Sequence, residues 1–214
     1  MSSLTINEIF HSIQGESSFA GLPCIFVRLT YCNLRCSYCD TAYAFEEGKE
    51  MSIEEIVETV SEYKTKLVEV TGGEPLMQPA SLELMKRLAD SGYTVLLETG
   101  GSLSIADIDK RVRVIMDIKC PSSRMASKNR FENITLLKSL DEVKFVIGSR
   151  EDYDWAKSII AQYKLDEKCH VLFSPVFGAI ELQALTHWIL TDNLNVRFQL
   201  QMHKYIWSPE TRGV

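Results

Sequence analysis

The chain has 214 residues, 45% of them hydrophobic, and a formal net charge of −6, which fits a single domain (1–214) with a sizeable core. The acidic balance and the lack of any sustained Lys/Arg run exclude a surface built to coat nucleic acid, and no apolar stretch of about eighteen residues predicts a membrane span. Met1 to Thr5 lack the start of a signal peptide, so the cytoplasm is the expected compartment and the six cysteines are read as thiols, not disulfides.

Residues 6–16 (INEIFHSIQGE) precede the first expected strand and by themselves read as a polar loop. Cys24 to Thr30 reads as a strand. Ser52 and Glu55 form a capping box that opens a helix, continued by Ile53, Ile56, Val57 and Val60 at helical spacing. Lys66 to Thr71 is a second strand, stopped by Gly72-Gly73, and residues 81–89 are helical. Tyr93 to Thr99 and Val112 to Ile118 are the third and fourth strands, Glu142 to Ile147 the fifth, and His170 to Phe173 the sixth. Helices are expected at 153–163 and 180–190, with a final strand at 195–200. Strands alternating with helices imply βαβ units and a parallel sheet. Six such strands are too few for a closed eight-stranded barrel, so the expected fold is α/β, a partial β/α barrel of about six mostly parallel strands. Several expected strands end in polar or glycine residues, as parallel folds do where strand ends surround a ligand. Thr71, Gly73, Glu74, Glu98-Thr99, Asp117, Lys119 and Ser174 are such candidates, with a buried polar network as the competing reading.

Cys32, Cys36 and Cys39 have Cx3Cx2C spacing directly after the first strand. Three thiolates on one loop can hold three irons of a [4Fe–4S] cluster and leave the fourth open to a ligand from outside the protein. The competing reading is a structural zinc ion with His11 or Cys24 as fourth ligand, although such sites usually draw on two separated pairs. Cys24, Cys120 and Cys169 are read as packed thiols.

Cx3Cx2C with Tyr38 before the third cysteine, followed after the next strand by Gly72-Gly73-Glu74-Pro75, resembles the radical S-adenosylmethionine (SAM) superfamily. Gln14-Gly15-Glu16, the segment Cys39-Asp40-Thr41, and Gln201-Met202-His203-Lys204 narrow that resemblance to the 7-carboxy-7-deazaguanine synthases. The resemblance implies conversion of 6-carboxy-5,6,7,8-tetrahydropterin to 7-carboxy-7-deazaguanine with loss of ammonia, on the way to queuosine and related 7-deazapurines. It implies a [4Fe–4S] cluster on Cys32, Cys36 and Cys39, SAM beside Tyr38, Gly73 and Glu74, and Mg²⁺ at Thr41; the strand-end residues Asp117, Lys119 and Ser174 are further candidates for SAM contacts. It places the pterin near Ile13, Gln14, Gly15, Glu16, Arg28 and Thr71, and has His203 and Lys204 close the site. Residue chemistry is compatible. Gln14 and Glu16 can match a pterin edge, and Arg28, flanked by outward Val27 and Leu29, offers a fork for a carboxylate. The resemblance further implies an electron donor such as flavodoxin and a homodimer. A glycyl-radical-enzyme activase and a non-catalytic metal-binding or electron-transfer protein are the rival readings.

Overall fold

The computed structural model describes residues 2–214. Its strands are β1 (Ser3–Ile13), β2 (Pro23–Leu29), β3 (Lys49–Ser52), β4 (Leu67–Gly72), β5 (Thr94–Thr99), β6 (Arg113–Asp117), β7 (Glu142–Ile147), β8 (His170–Pro175) and β9 (Arg197–Phe198). Its α-helices are α1 (Ile53–Ser61), α2 (Ala80–Asp90), α3 (Arg150–Tyr163), α4 (Leu165–Lys168), α5 (Leu182–Thr191) and α6 (His203–Ile206). The strands form one curved sheet in the order β3-β1-β2-β4-β5-β6-β7-β8-β9. From β2 to β9 every neighbouring pair is parallel. The six helix-linked strands expected from the sequence are all present, in an α/β partial barrel. The antiparallel extension was not expected: residues 6–13, read as loop, belong to β1, which pairs with both β2 and β3.

Side-chain alternation sorts each strand into an outer and an inner face. Val68 and Val70 of β4 and Val27 and Leu29 of β2 pack outward with Ile56 and Val60 of α1 and Leu84 and Leu88 of α2. Val143, Phe145 and Ile147 of β7 and Val171 and Phe173 of β8 do the same against Tyr153 and Ile160 of α3 and Leu185 of α5. The helices are held by local signals as well. Ser52 accepts from the Glu55 N–H at 3.2 Å and Glu55 accepts from the Ser52 N–H at 2.7 Å, the expected capping box. The inner face is closed at the bottom by Cys24, Phe26, Leu67, Leu96 and Ile115. Above them it turns polar, and that polar interior is the site.

Candidate functional site

The inner face and the loops at the parallel strand ends enclose a cavity of about 240 Å³. Cys32, Cys36 and Cys39 all line it and are half-buried, whereas Cys24, Cys120 and Cys169 are buried elsewhere. Burial pushes the Cys32 and Cys36 thiols up, and the Lys119 ammonium opposes that at Cys36. The Leu34 N–H points at Cys32 Sγ at 3.4 Å. The loop is anchored from both sides. Tyr31, at φ +77°, turns the chain so that its N–H donates to Ala44 O while its carbonyl accepts from the Glu74 N–H at 2.7 Å. Gly73 permits this contact, because a Cβ there would meet Tyr31 O at 2.2 Å and Cys32 Cβ at 2.9 Å. The two motifs recognised separately in the sequence therefore pack as one unit.

His11 and Cys24 stay outside the cavity. His11 bonds Thr65 at 2.7 Å, and Cys24 lies on the closed floor. Among the described residues no three His, Cys, Asp or Glu side chains converge on a single ion position. The donor set at the cavity is three thiols on one loop, with neither His11 nor Cys24 beside them, which suits a cubane better than a four-ligand zinc site.

Of the other expected contacts, Tyr38, Gly73, Asp117 and Lys119 line the cavity. The Tyr38 hydroxyl lies 3.5 Å from Val146 O, and burial raises its phenol far above the ordinary range. Lys119 and Asp117 pair at 2.8 Å, while Asp117 Oδ1 is buried without a partner. A buried orphan carboxylate oxygen at a cavity wall is an open acceptor for a ligand donor. Two of the expected residues lie outside the lining. Glu74 is wholly buried behind the wall, where its carboxylate accepts from Thr99 Oγ1 at 2.9 Å and from the N–H groups of Gly100 at 2.7 Å and Leu76 at 3.1 Å. It braces two strand ends and does not face the cavity, because the bend at Gly72-Gly73 turns its side chain into the protein. Ser174 is also buried outside the cavity lining, with its hydroxyl unpaired.

Ile13, Gln14, Gly15, Glu16, Arg28 and Thr71 all line the same cavity, as does Thr41. Arg28 donates through Nε to Glu8 Oε1 at 2.7 Å, which leaves its two terminal nitrogens for the interior. Tyr43, absent from the sequence reading, donates to the same Glu8 oxygen at 2.9 Å. Glu16 pairs with Lys144 at 2.9 Å and accepts from Gln201 Nε2 at 3.0 Å. Burial works against the Glu16 charge, but Lys144 and Gln201 bring its carboxyl below the ordinary value. Burial likewise works against the Lys144 ammonium, yet Glu16 and Glu98 hold it charged.

The C-terminal segment closes on these groups. Met202 donates its N–H to Gly15 O at 3.1 Å, and Lys204 pairs with Asp40 at 2.6 Å. The Lys204 ammonium holds the Asp40 carboxyl, which is 42% exposed, at about 2. Gly15 is required for this fit, since a Cβ would meet His203 Nδ1 at 2.7 Å. Burial lowers the His203 imidazole below its ordinary value against the pull of Glu16.

Sequence reasoning missed Lys144, Glu69, Asp40 and Tyr43, all of which line the cavity. A usable signal existed for two of them. A central parallel strand reads as a near-continuous apolar run, so Glu69 in LVEVTG and Lys144, in mid-strand in EVKFVI, were out of place.

Comparison with known proteins places these features in context. The radical SAM superfamily profile matches residues 27–164. The 7-carboxy-7-deazaguanine synthase of Chlorobaculum tepidum is 51% identical over 214 residues, covering 99% of this chain and 97% of the relative. That of Koribacter versatilis is 46% identical, covering 99% of this chain and all of the relative. Among solved structures, QueE from Escherichia coli superposes with a TM-score of 0.80 at 23% identity, over 94% of this chain and 95% of that one.

Proposed function

Since the chain belongs to the 7-carboxy-7-deazaguanine synthases of the radical SAM superfamily, enzymes of the queuosine pathway, we propose that this cavity converts 6-carboxy-5,6,7,8-tetrahydropterin to 7-carboxy-7-deazaguanine with loss of ammonia. The observation that carries the reading is that the three cysteines and the polar set Gln14, Glu16, Arg28 and Lys144 open into one enclosure. An initiating centre and a substrate site are therefore contiguous, as hydrogen-atom abstraction requires.

Cys32, Cys36 and Cys39 hold the [4Fe–4S] cluster. With SAM and an electron donor such as flavodoxin, that cluster would supply hydrogen-atom abstraction from the pterin and its return. The chain supplies position. Tyr38 and Gly73 border the SAM site, and the orphan Asp117 Oδ1 accepts from a ligand donor, while Lys119 balances its charge. The free nitrogens of Arg28 face the substrate carboxylate. The Thr41 hydroxyl, at the cavity wall, would help hold a Mg²⁺ ion that orients the substrate carboxylate. Lys144 keeps Glu16 ionised, so Glu16 accepts from the ring N–H groups of the pterin. Gln201 and Lys204 pin the closing segment on Glu16 and Asp40 and so exclude water from the reacting centre.

The test is direct. Reconstituted anaerobically, the protein is given carboxytetrahydropterin, SAM, Mg²⁺ and a reductant, and the products are separated by chromatography. The expected result is a deazapurine chromophore and ammonia. SAM cleavage without any deazapurine would point instead to an activase that acts on a protein partner.

A further inference from the structure

Glu69 occupies a position where an apolar residue would cost less. β4 turns Leu67, Glu69 and Thr71 to the inner face. Leu67 belongs to the closed floor and Thr71 lies level with Arg28. Glu69 sits between them and is paired across the sheet with Phe26 and Leu96, both buried. A carboxyl placed among such neighbours is unfavourable unless it is hydrogen-bonded. Its one side-chain hydrogen bond accepts from Gln14 Nε2 on Oε2 at 2.5 Å. Glu69 lines the cavity, and its Oε1 has no hydrogen-bond donor among the described residues.

Gln14 is itself fixed in orientation. Its Oε1 accepts from the Glu16 N–H at 3.1 Å, so its NH₂ must point at Glu69. One N–H of that amide is used on Glu69 and the other is free. Beside this pair stand Phe10 and Phe26, stacked at 4.9 Å and both lining the cavity. An apolar aromatic wall carrying one oriented polar pair is how a pocket reads a flat heterocycle.

We propose that Glu69 is a specificity-determining residue, which with Gln14 presents a paired donor and acceptor to the amide–amidine edge of the bicyclic substrate. This rests on the reading of the cavity as a carboxypterin site. Burial, with Glu98 and Glu16 nearby, raises the Glu69 carboxyl and favours its protonated form, against the pull of Gln14 and Lys144. A protonated carboxyl donates from Oε1, and Oε2, which takes the Gln14 N–H on one lone pair, accepts from the substrate on its second, so it matches an edge with adjacent acceptor and donor atoms. An ionised carboxylate would accept only.

Two variants test this. Glu69→Leu matches the apolar neighbours and lacks the polar pair, whereas Glu69→Gln keeps one donor and one acceptor. Substrate affinity is measured by calorimetry on the reconstituted protein without reductant, and KM and kcat are measured with it. Glu69→Leu is expected to weaken affinity and raise KM on the order of tenfold or more, with kcat changed less. Its Tm stays level or rises, because a buried carboxyl has been removed. Glu69→Gln recovers most of the affinity. A purely structural Glu69 would give the reverse pattern, a lower Tm with KM unchanged, and that overturns the proposal. So does a Glu69→Gln protein as weak as Glu69→Leu, or a wild-type enzyme that turns over the pterin while Glu69→Leu keeps its KM within about twofold. If the wild-type protein neither binds nor converts carboxytetrahydropterin, the reading of the cavity falls, and this proposal with it.

Discussion

The two faces of the parallel strands obey opposite rules. On β7, the outward residues Val143, Phe145 and Ile147 are fully buried hydrocarbon against the helices. The inward residues Glu142 and Lys144 are also buried, at 2% and 4% exposure, yet they carry charge. The outer face gains stability from area removed from water. The inner face gives up that gain and holds its charges by pairing: Lys144 with Glu16 and Glu98, and Glu142 with the hydroxyl and N–H of Ser18. Real proteins break their own packing rules chiefly where function demands it. Both faces are equally shielded from water; the distinction lies in what is buried.

Substitutions on the two faces separate these roles. The largest expected stability effect is on the outer face. Phe145 makes edge contacts with Trp155 and Phe173, and Phe145→Ala should cost about 3–5 kcal/mol in urea unfolding. Molecules that remain folded at low temperature should keep the substrate KM. A changed KM with little loss of stability would break the division between the faces. A smaller effect is a slope with pH at the inner face. The groups around Glu69 are Glu98 on β5, Glu16 and Gln14 after β1, Lys144 on β7 and Cys24 on β2. Its folded carboxyl value lies above the unfolded one. The stability it contributes is therefore complete below the unfolded value and is lost as pH rises through the folded value. Glu69→Leu should accordingly gain stability relative to wild type as pH rises above the ordinary carboxylate value, its unfolding free energy becoming the larger of the two. A flat or opposite trend would show that the inner face does not disfavour the charge of Glu69.

Much of this was legible in the sequence, and the gaps have physical causes. The six parallel strands announce themselves because a strand buried on both sides is a local apolar run. β1 does not, since Asn7, Glu8, His11 and Ser12 dilute its pattern. β3 is four residues long and mostly polar. At the site, the cysteine loop was readable because its ligands lie within eight residues. Lys144 and Glu69 come to Gln14 and Glu16 only through the curvature of the sheet, which no local window contains. The bonds of Glu74 to Thr99 and Gly100 were not legible, because the direction of its side chain depends on the turn at Gly72-Gly73 and not on the motif.

The central claim is that three thiols open on the cavity and leave one iron for a ligand from outside the protein. Electron paramagnetic resonance of the reconstituted, reduced protein tests it most directly, recorded before and after addition of SAM. The account predicts about four irons per chain and a [4Fe–4S]⁺ signal that changes shape when SAM is added, with both signals lost in Cys36→Ala. One zinc per chain, or a cluster signal that SAM leaves unchanged, would contradict it.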